Sequence, residues 1–273
     1  VIGAVRHKRA TGEVDGEYKS LLGKVLRLHP DYYSMWNFRK EAVLNEVGPT
    51  WKAATAKAVT TMQHPTNGKP LSHLFHGEGK KKALGSVYKE ELELSVDCIK
   101  RNPKSYPAWH HHKWALERGL DCLGGSAALK EDLALCGSFL ELDGRNFHCW
   151  AHRMWVAEKM ALPAAEDFDF TTAKIIQARC YNYSAFHFRS KLLPRMVKEA
   201  GRDRWQLLQG ELDLAHNAMF TEPADQSVWW YHHFLLTWAE DGADKHTADR
   251  FENVLRSEMD TLTRLVEVEG RCK

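Results

Sequence analysis

One phrase recurs five times along the chain and restricts the possible folds more than any other feature. A proline, glycine or cysteine opens it, a short polar and aromatic step follows, then an aromatic residue, and three positions later Arg or His. The copies are Pro30-DYYSM-Trp36-NF-Arg39, Pro103-KSYPA-Trp109-HH-His112, Gly144-RNFHC-Trp150-AH-Arg153, Cys180-YNYSA-Phe186-HF-Arg189 and Pro223-ADQSV-Trp229-WY-His232. Residues at i and i+3 share a helix face, so the phrase reads as the first turns of a helix that docks on a neighbour. The aromatics follow one another at intervals of 73, 41, 36 and 43 residues. Such spacing is what stacked helical hairpins produce, because a single hairpin cannot bury its own apolar face.

The intervening segments agree. Ser126 can cap the helix SAALKEDLALCGSFLEL, whose leucines and Phe139 recur at helical spacing before Gly144 stops it. Pro107 falls in the first turn of the helix before that, where a missing N–H does little harm, and Gly119 is expected just past its end. Further second helices are expected around 163–180, 203–220 and 247–269, and there is no run of alternating β-branched residues to suggest a sheet. The long first interval contains HPTNGKPLSHLFHGEGKKKALGS, residues 64–86, which reads as an exposed, flexible inserted loop with Lys80, Lys81 and Lys82 on a solvated face.

Composition excludes several classes. A net charge of +2 over 273 residues argues against a dedicated nucleic-acid protein. The six cysteines (Cys98, Cys122, Cys136, Cys149, Cys180 and Cys272) form no CxxC pair and read as reduced thiols of a cytoplasmic protein. No apolar run is long enough to span a membrane, and the N-terminus lacks a signal-peptide layout; it starts as if already helical, which leads us to expect residues upstream. His110, His111 and His112 invite a metal reading, but consecutive helix positions point about 100° apart and cannot converge on one ion. The phrase aromatics are expected to be core knobs. Arg39, Arg153 and Arg189 are expected to bond to carbonyls or carboxylates of the adjacent repeat.

PKSYPAWHHHKWAL, GRNFHCWAHRMWV, YNYSAFHFRSKLLP and DQSVWWYHHFLL resemble the repeats of protein prenyltransferase α subunits, and within that family the wording RNFHCW and CYNYSAFHFRSKLLP looks most like the Rab geranylgeranyl type. The resemblance runs from about residue 2 to about residue 240. It implies an all-α, right-handed superhelical solenoid of antiparallel hairpins, one domain over 1–273, wrapped around a catalytic β subunit in an obligate heterodimer. It implies geranylgeranyl diphosphate as donor and, as acceptor, the C-terminal cysteines of a Rab GTPase presented by a Rab escort protein. Lys104 then matches a lysine that approaches the isoprenoid diphosphate, with Tyr106 beside it; a lysine suits the growing negative charge of a leaving diphosphate, and a hydroxyl adds a directed hydrogen bond. Asn146, Phe147 and His148 match a neighbouring trio, with Phe147 standing where the farnesyl-type enzymes carry tyrosine, and Arg145 repeats the cation in register with Lys104. No Asp, Cys and His set with sensible spacing is seen, so zinc is expected in the β subunit and none in this chain, with magnesium accompanying the diphosphate. The second and fifth copies depart from the family by carrying His for Arg. Two other readings stay open: an α subunit shared by farnesyl and type I geranylgeranyl transferases, and a tetratricopeptide-like adaptor, although that repeat's W-L-G-Y and A-F-P pattern is missing.

Overall fold

The computed structural model describes residues 1–48, 78–177, 182–243 and 246–271. Among these residues there are twelve α-helices and no strand: α1 Ile2–Thr11, α2 Gly16–Leu28, α3 Tyr33–Val47, α4 Glu78–Arg101, α5 Tyr106–Gly119, α6 Ser126–Leu142, α7 Phe147–Lys159, α8 Ala164–Gln177, α9 Tyr183–Ala200, α10 Arg204–Thr221, α11 Gln226–Asp241 and α12 Ala248–Arg271. The chain divides into two compact units, Val1–Ser138 with Ala151–Val156, and Phe139–Trp150 with Ala157–Lys273. In the first unit α2 packs on α3 and α4 on α5, and the hairpins join through α2 against α4 and α3 against α5. In the second, α8 pairs with α9 and α10 with α11, while α9 lies on α11 and α12 closes on α10 and α11. The all-α hairpin architecture expected from the repeated phrase is the one observed.

The phrase owes its recurrence to two contacts. From the second copy on its third residue is a cap: Ser105 Oγ accepts from the Ala108 N–H at 3.4 Å, Asn146 Oδ1 from Cys149 N–H at 3.2 Å, Asn182 Oδ1 from Ala185 N–H at 3.1 Å, and Asp225 Oδ1 from Ser227 N–H at 3.1 Å. The indole then reaches back over the cap. Nε1–H of Trp36, Trp109, Trp150 and Trp229 donates to the carbonyl oxygen six residues earlier, on Pro30, Pro103, Gly144 and Pro223, at 2.7, 2.8, 2.8 and 2.7 Å. Each tryptophan thus satisfies its one donor and one turn carbonyl while burying its ring. Phe186 cannot donate; in its place Asn182 Nδ2 donates across to the Gly144 carbonyl at 2.7 Å. Trp36, Trp109, Trp150 and Phe186 are buried as expected, but Trp229 is only half-buried. In its unit, α12 alone follows the hairpin to which Trp229 belongs.

The last residue of the phrase holds a carboxylate. Arg39 is 2% exposed and grips the fully buried Glu91 of α4, Nε to Oε2 at 2.9 Å and Nη2 to Oε1 at 2.8 Å, while its Nη1 donates to the Lys19 carbonyl. Arg189 holds Glu211 of α10 through Nη2 at 2.8 Å. His112 meets Asp132 at 2.7 Å and His232 meets Glu258 at 2.8 Å. The expectation that Arg39 and Arg189 bond into the adjacent repeat holds; Arg153 is buried.

The inserted loop needs correction. Residues 64–77 lie outside the described residues, but 78–86 are the first turns of α4, not loop. Leu84 and Tyr88, one helical turn apart, are both buried. That turn lies close against the end of α5: a Cβ on Gly85 would sit 2.7 Å from the Cys122 carbonyl oxygen, and one on Gly119 would sit 2.6 Å from Tyr88 Cβ. Gly119 is therefore the last residue of α5, held inside the helix by the close approach of Tyr88, instead of a residue beyond it. Lys81 and Lys82 are exposed on α4. Among the described residues no helix is long and apolar enough to cross a membrane. Cys98, Cys136 and Cys149 are buried, and burial pushes the Cys98 thiol up to about 12.

Two outcomes follow for stability. Arg39→Ala strands Glu91 in the core, an expected loss of about 3–5 kcal/mol, and adding Glu91→Gln recovers part of it because no charge is then left behind; urea denaturation of the single and double variants measures both. The same cluster makes the fold sensitive to acid. Burial holds the His111 imidazole, 3.0 Å from Glu91, down at about 4 in spite of its carboxylate partner. Burial would raise Glu91, yet hydrogen bonds from His111 and Arg39 outweigh it and hold it low. Both groups bind fewer protons folded than unfolded: the His111 contribution is complete above about pH 6.5 and is lost as pH falls toward about 4, and that of Glu91 is lost only as pH falls below the ordinary glutamate range. Calorimetry between pH 7 and 4 should show a falling Tm, with a shallower fall for His111→Gln.

Candidate functional site

Lys104 and Arg145 occupy the same place in two successive inter-helix turns. Between α4 and α5 the Ser105 N–H donates to the Asn102 carbonyl at 3.1 Å, and between α6 and α7 the Asn146 N–H donates to the Asp143 carbonyl at 3.1 Å. In each turn the side chain of the first residue takes the N–H of the cation: Lys104 N–H to Asn102 Oδ1 at 3.2 Å, and Arg145 N–H to Asp143 Oδ1 at 3.0 Å. The side chains of Lys104 and Arg145 are exposed. In the equivalent place the first copy has Asp31 and the fifth has Ala224, so a cation there belongs to the second and third copies among the described turns.

The Lys104 turn is tied to the hairpin before it. Asn102 Nδ2 donates to Asp31 Oδ2 at 2.7 Å, and Ser105 Oγ donates to the Pro30 carbonyl at 3.0 Å. The backbone under Lys104 is therefore fixed while its long side chain projects outward, and α5 presents its N-terminal dipole immediately after it. Tyr106, the first residue of α5, is 67% exposed.

In the second unit Asn146 and His148 are buried and Phe147 is 51% exposed. Asn146 Oδ1 accepts from the N–H of both His148 and Cys149, so its carbonyl end is committed to capping α7. The ring of Phe147 lies against that of His148, centroids 3.9 Å apart. Of the residues singled out from sequence, Lys104, Tyr106, Arg145 and Phe147 are exposed, whereas Asn146 and His148 are buried.

Sequence reading missed the buried histidine clusters. As expected, the three consecutive histidines do not converge: His110 faces Lys40 at 3.0 Å, His111 faces Glu91, and His112 faces Asp132. Asp132 is shared, however, with His152, 2.6 Å from its other oxygen. Glu258 is shared likewise between His232 and His216, the latter at 2.7 Å. The two copies that depart from Arg are the two with a second histidine; an arginine fork at one site is replaced by two imidazoles. Only the pairing of His at the end of a phrase with a carboxylate about twenty residues on could have signalled this.

Comparison with known proteins identifies the repeats. Residues 19–46, 88–119, 129–160 and 208–239 match the protein prenyltransferase alpha subunit repeat. These contain the first, second, third and fifth copies of the phrase, and the copy without tryptophan falls outside them. The chain is 35% identical over 260 residues to the human geranylgeranyl transferase type-2 subunit alpha, covering 93% of this chain and 39% of that protein. It is 36% identical over 242 residues to the Rattus norvegicus protein of the same name (87% and 36% covered) and 29% identical over 266 residues to that of Dictyostelium discoideum (97% and 73% covered). The chain thus spans about two fifths of the length of the mammalian relatives it matches.

Proposed function

The chain belongs to the protein prenyltransferase α-subunit family, and on that premise we propose that it is the α subunit of a heterodimeric Rab geranylgeranyltransferase, a transferase active only with its β subunit. The observation that carries the reading is the anchored turn that projects Lys104 beside Tyr106 at the start of α5.

Transfer of a geranylgeranyl group to a cysteine thiol leaves diphosphate behind, and its charge grows as the C–O bond breaks. A group that meets this charge more strongly in the transition state than in the ground state lowers the barrier. Lys104 supplies a mobile ammonium with three donors, Tyr106 a phenolic O–H, and α5 the positive end of its dipole. Arg145 repeats the cation in its own unit, where Phe147 offers an apolar face without a hydroxyl and serves best against the β subunit. Asn146 and His148 act as positioning residues for that turn. The thiol needs zinc to be a strong nucleophile at neutral pH, and we assign that ion to the β subunit, with magnesium sharing the charge of the diphosphate. The acceptor is a Rab GTPase carried by an escort protein, in the cytoplasm. This reading is supported by the names of the relatives, geranylgeranyl transferase type-2 subunit alpha, and by the repeat matches.

The reconstituted heterodimer should transfer geranylgeranyl in preference to farnesyl, and to Rab plus escort protein in preference to CaaX peptides; the opposite preference would make it the α subunit shared by the farnesyl and type I enzymes. Lys104→Ala should lower kcat at least tenfold, about 1.4 kcal/mol, with assembly of the heterodimer unchanged by sedimentation. Parallel loss of assembly and turnover would mark Lys104 as structural.

A further inference from the structure

His112 of α5, Asp132 of α6 and His152 of α7 come together inside the first unit from positions 20 residues apart. All three are buried, at 1%, 6% and 5% exposure, and their ligand atoms lie within 4.8 Å of one another. Each imidazole aims Nε2 at a different oxygen of the one carboxylate, at 2.7 and 2.6 Å, with the rings 5.1 Å apart and inclined at 65°. We propose that this cluster is a buried binding site for a divalent first-row cation, zinc by its donor set, held by Nε2 of His112, Nε2 of His152 and a carboxylate oxygen of Asp132.

Three observations support a cation between these groups in addition to a hydrogen-bonded triad. The first is the far side of His112. Its Nδ1 lies 2.9 Å from Ser95 Oγ, and that hydroxyl also lies 2.9 Å from the carbonyl oxygens of Glu91 and Leu92. A serine has one proton; given to a carbonyl of its own helix, it leaves the oxygen to accept Nδ1–H. In that tautomer Nε2 of His112 is the nitrogen that carries the lone pair, and it can bind an ion in place of its present contact with Asp132. An imidazole whose other nitrogen donates to a neighbour is also the usual arrangement behind a metal ligand.

The second is access. A cleft of about 520 Å³ is lined by His112 and Asp132 together with Leu92, Leu116 and Leu135 and with the charged Lys89, Glu93 and Glu131, so that a fourth ligand such as water can reach an ion from one side. Third, two imidazoles and one carboxylate suit zinc, whose bonds of about 2.0–2.1 Å place tetrahedral ligand atoms about 3.3 Å apart. Small rotations of the two rings open the present spacing to that value.

The competing account is that two imidazoles merely replace the guanidinium that serves Glu91 and Glu211. The repeat itself supplies the variant that separates the two. His112→Arg restores the residue found at the end of the first, third and fourth copies, so it keeps a charge partner for Asp132 but removes a ligand. The full chain, in complex with its β subunit, is stripped with a chelator, loaded with Zn²⁺ and desalted, and its zinc is counted; Co²⁺ loading reports the geometry by its visible bands. We expect His112→Arg to carry one zinc fewer per complex than the wild type, to lose the Co²⁺ bands of that site, and to melt no lower than the metal-free wild type. His216→Ala, in the other cluster, should leave those bands in place. Equal zinc content in wild type and His112→Arg overturns the proposal, as does a wild type whose Co²⁺ spectrum is unchanged by the substitution. Should His112→Arg fail to fold, His152→Gln is read by the same counts with the same consequences. Because no reading depends on prenyl transfer, failure here leaves the proposed function untouched.

Discussion

A carboxylate withdrawn from water is tolerated only where positive charge or hydrogen-bond donors meet it in place, and among the buried carboxylates of the described residues four are met by the repeated phrase: Glu91 and Asp132 in one unit, Glu211 and Glu258 in the other. Each is met by the last residue of a phrase, Arg39, His112, Arg189 or His232. Apolar packing alone would let one helix slide along its neighbour with little penalty. A slip of one turn here would strand a buried charge at a cost of several kcal/mol, so these pairs set the register in which hairpins of each unit stack. The tryptophan bond to the turn carbonyl does the corresponding work at the helix start.

With register and turn both determined, what differs between repeats is side-chain chemistry on a constant backbone. The same turn position carries Asp31, Lys104, Arg145 and Ala224, one anion, two cations and one methyl group. Asp31 is used to anchor Asn102, which in turn orients the Lys104 backbone. The chemistry proposed for the family resemblance therefore rests on packing already required for stability, and the exposure of Lys104, Tyr106, Arg145 and Phe147 contrasts with the burial of the capping residues Ser105 and Asn146 beside them.

Helix positions, caps and the role of the indoles were legible in the sequence because they repeat, and repetition separates a structural requirement from chance. The carboxylate partners were not. Glu91 sits in KEELELS and Asp132 in KEDLAL, where acidic residues look like an ordinary solvated face until the helix's rotation is known. The start of α4 differs from its sequence pattern for a related reason: its glycines and lysines resemble a loop, and only Gly85 packed against the Cys122 carbonyl reveals why a small residue is needed there. The accessibility of Lys104 followed from its place after a proline, but the burial of Asn146 and His148 did not, since an asparagine before an aromatic reads equally well as cap or contact.

The division of labour is the claim on which the functional account turns: this chain supplies scaffold and an anion-facing turn, and another polypeptide supplies the activated thiol and the isoprenoid pocket. Prenyl transfer measured with the isolated chain and with the chain mixed with a zinc-loaded β subunit tests it most directly. The account predicts turnover from the mixture and none from the chain alone; appreciable transfer by the isolated chain would contradict it.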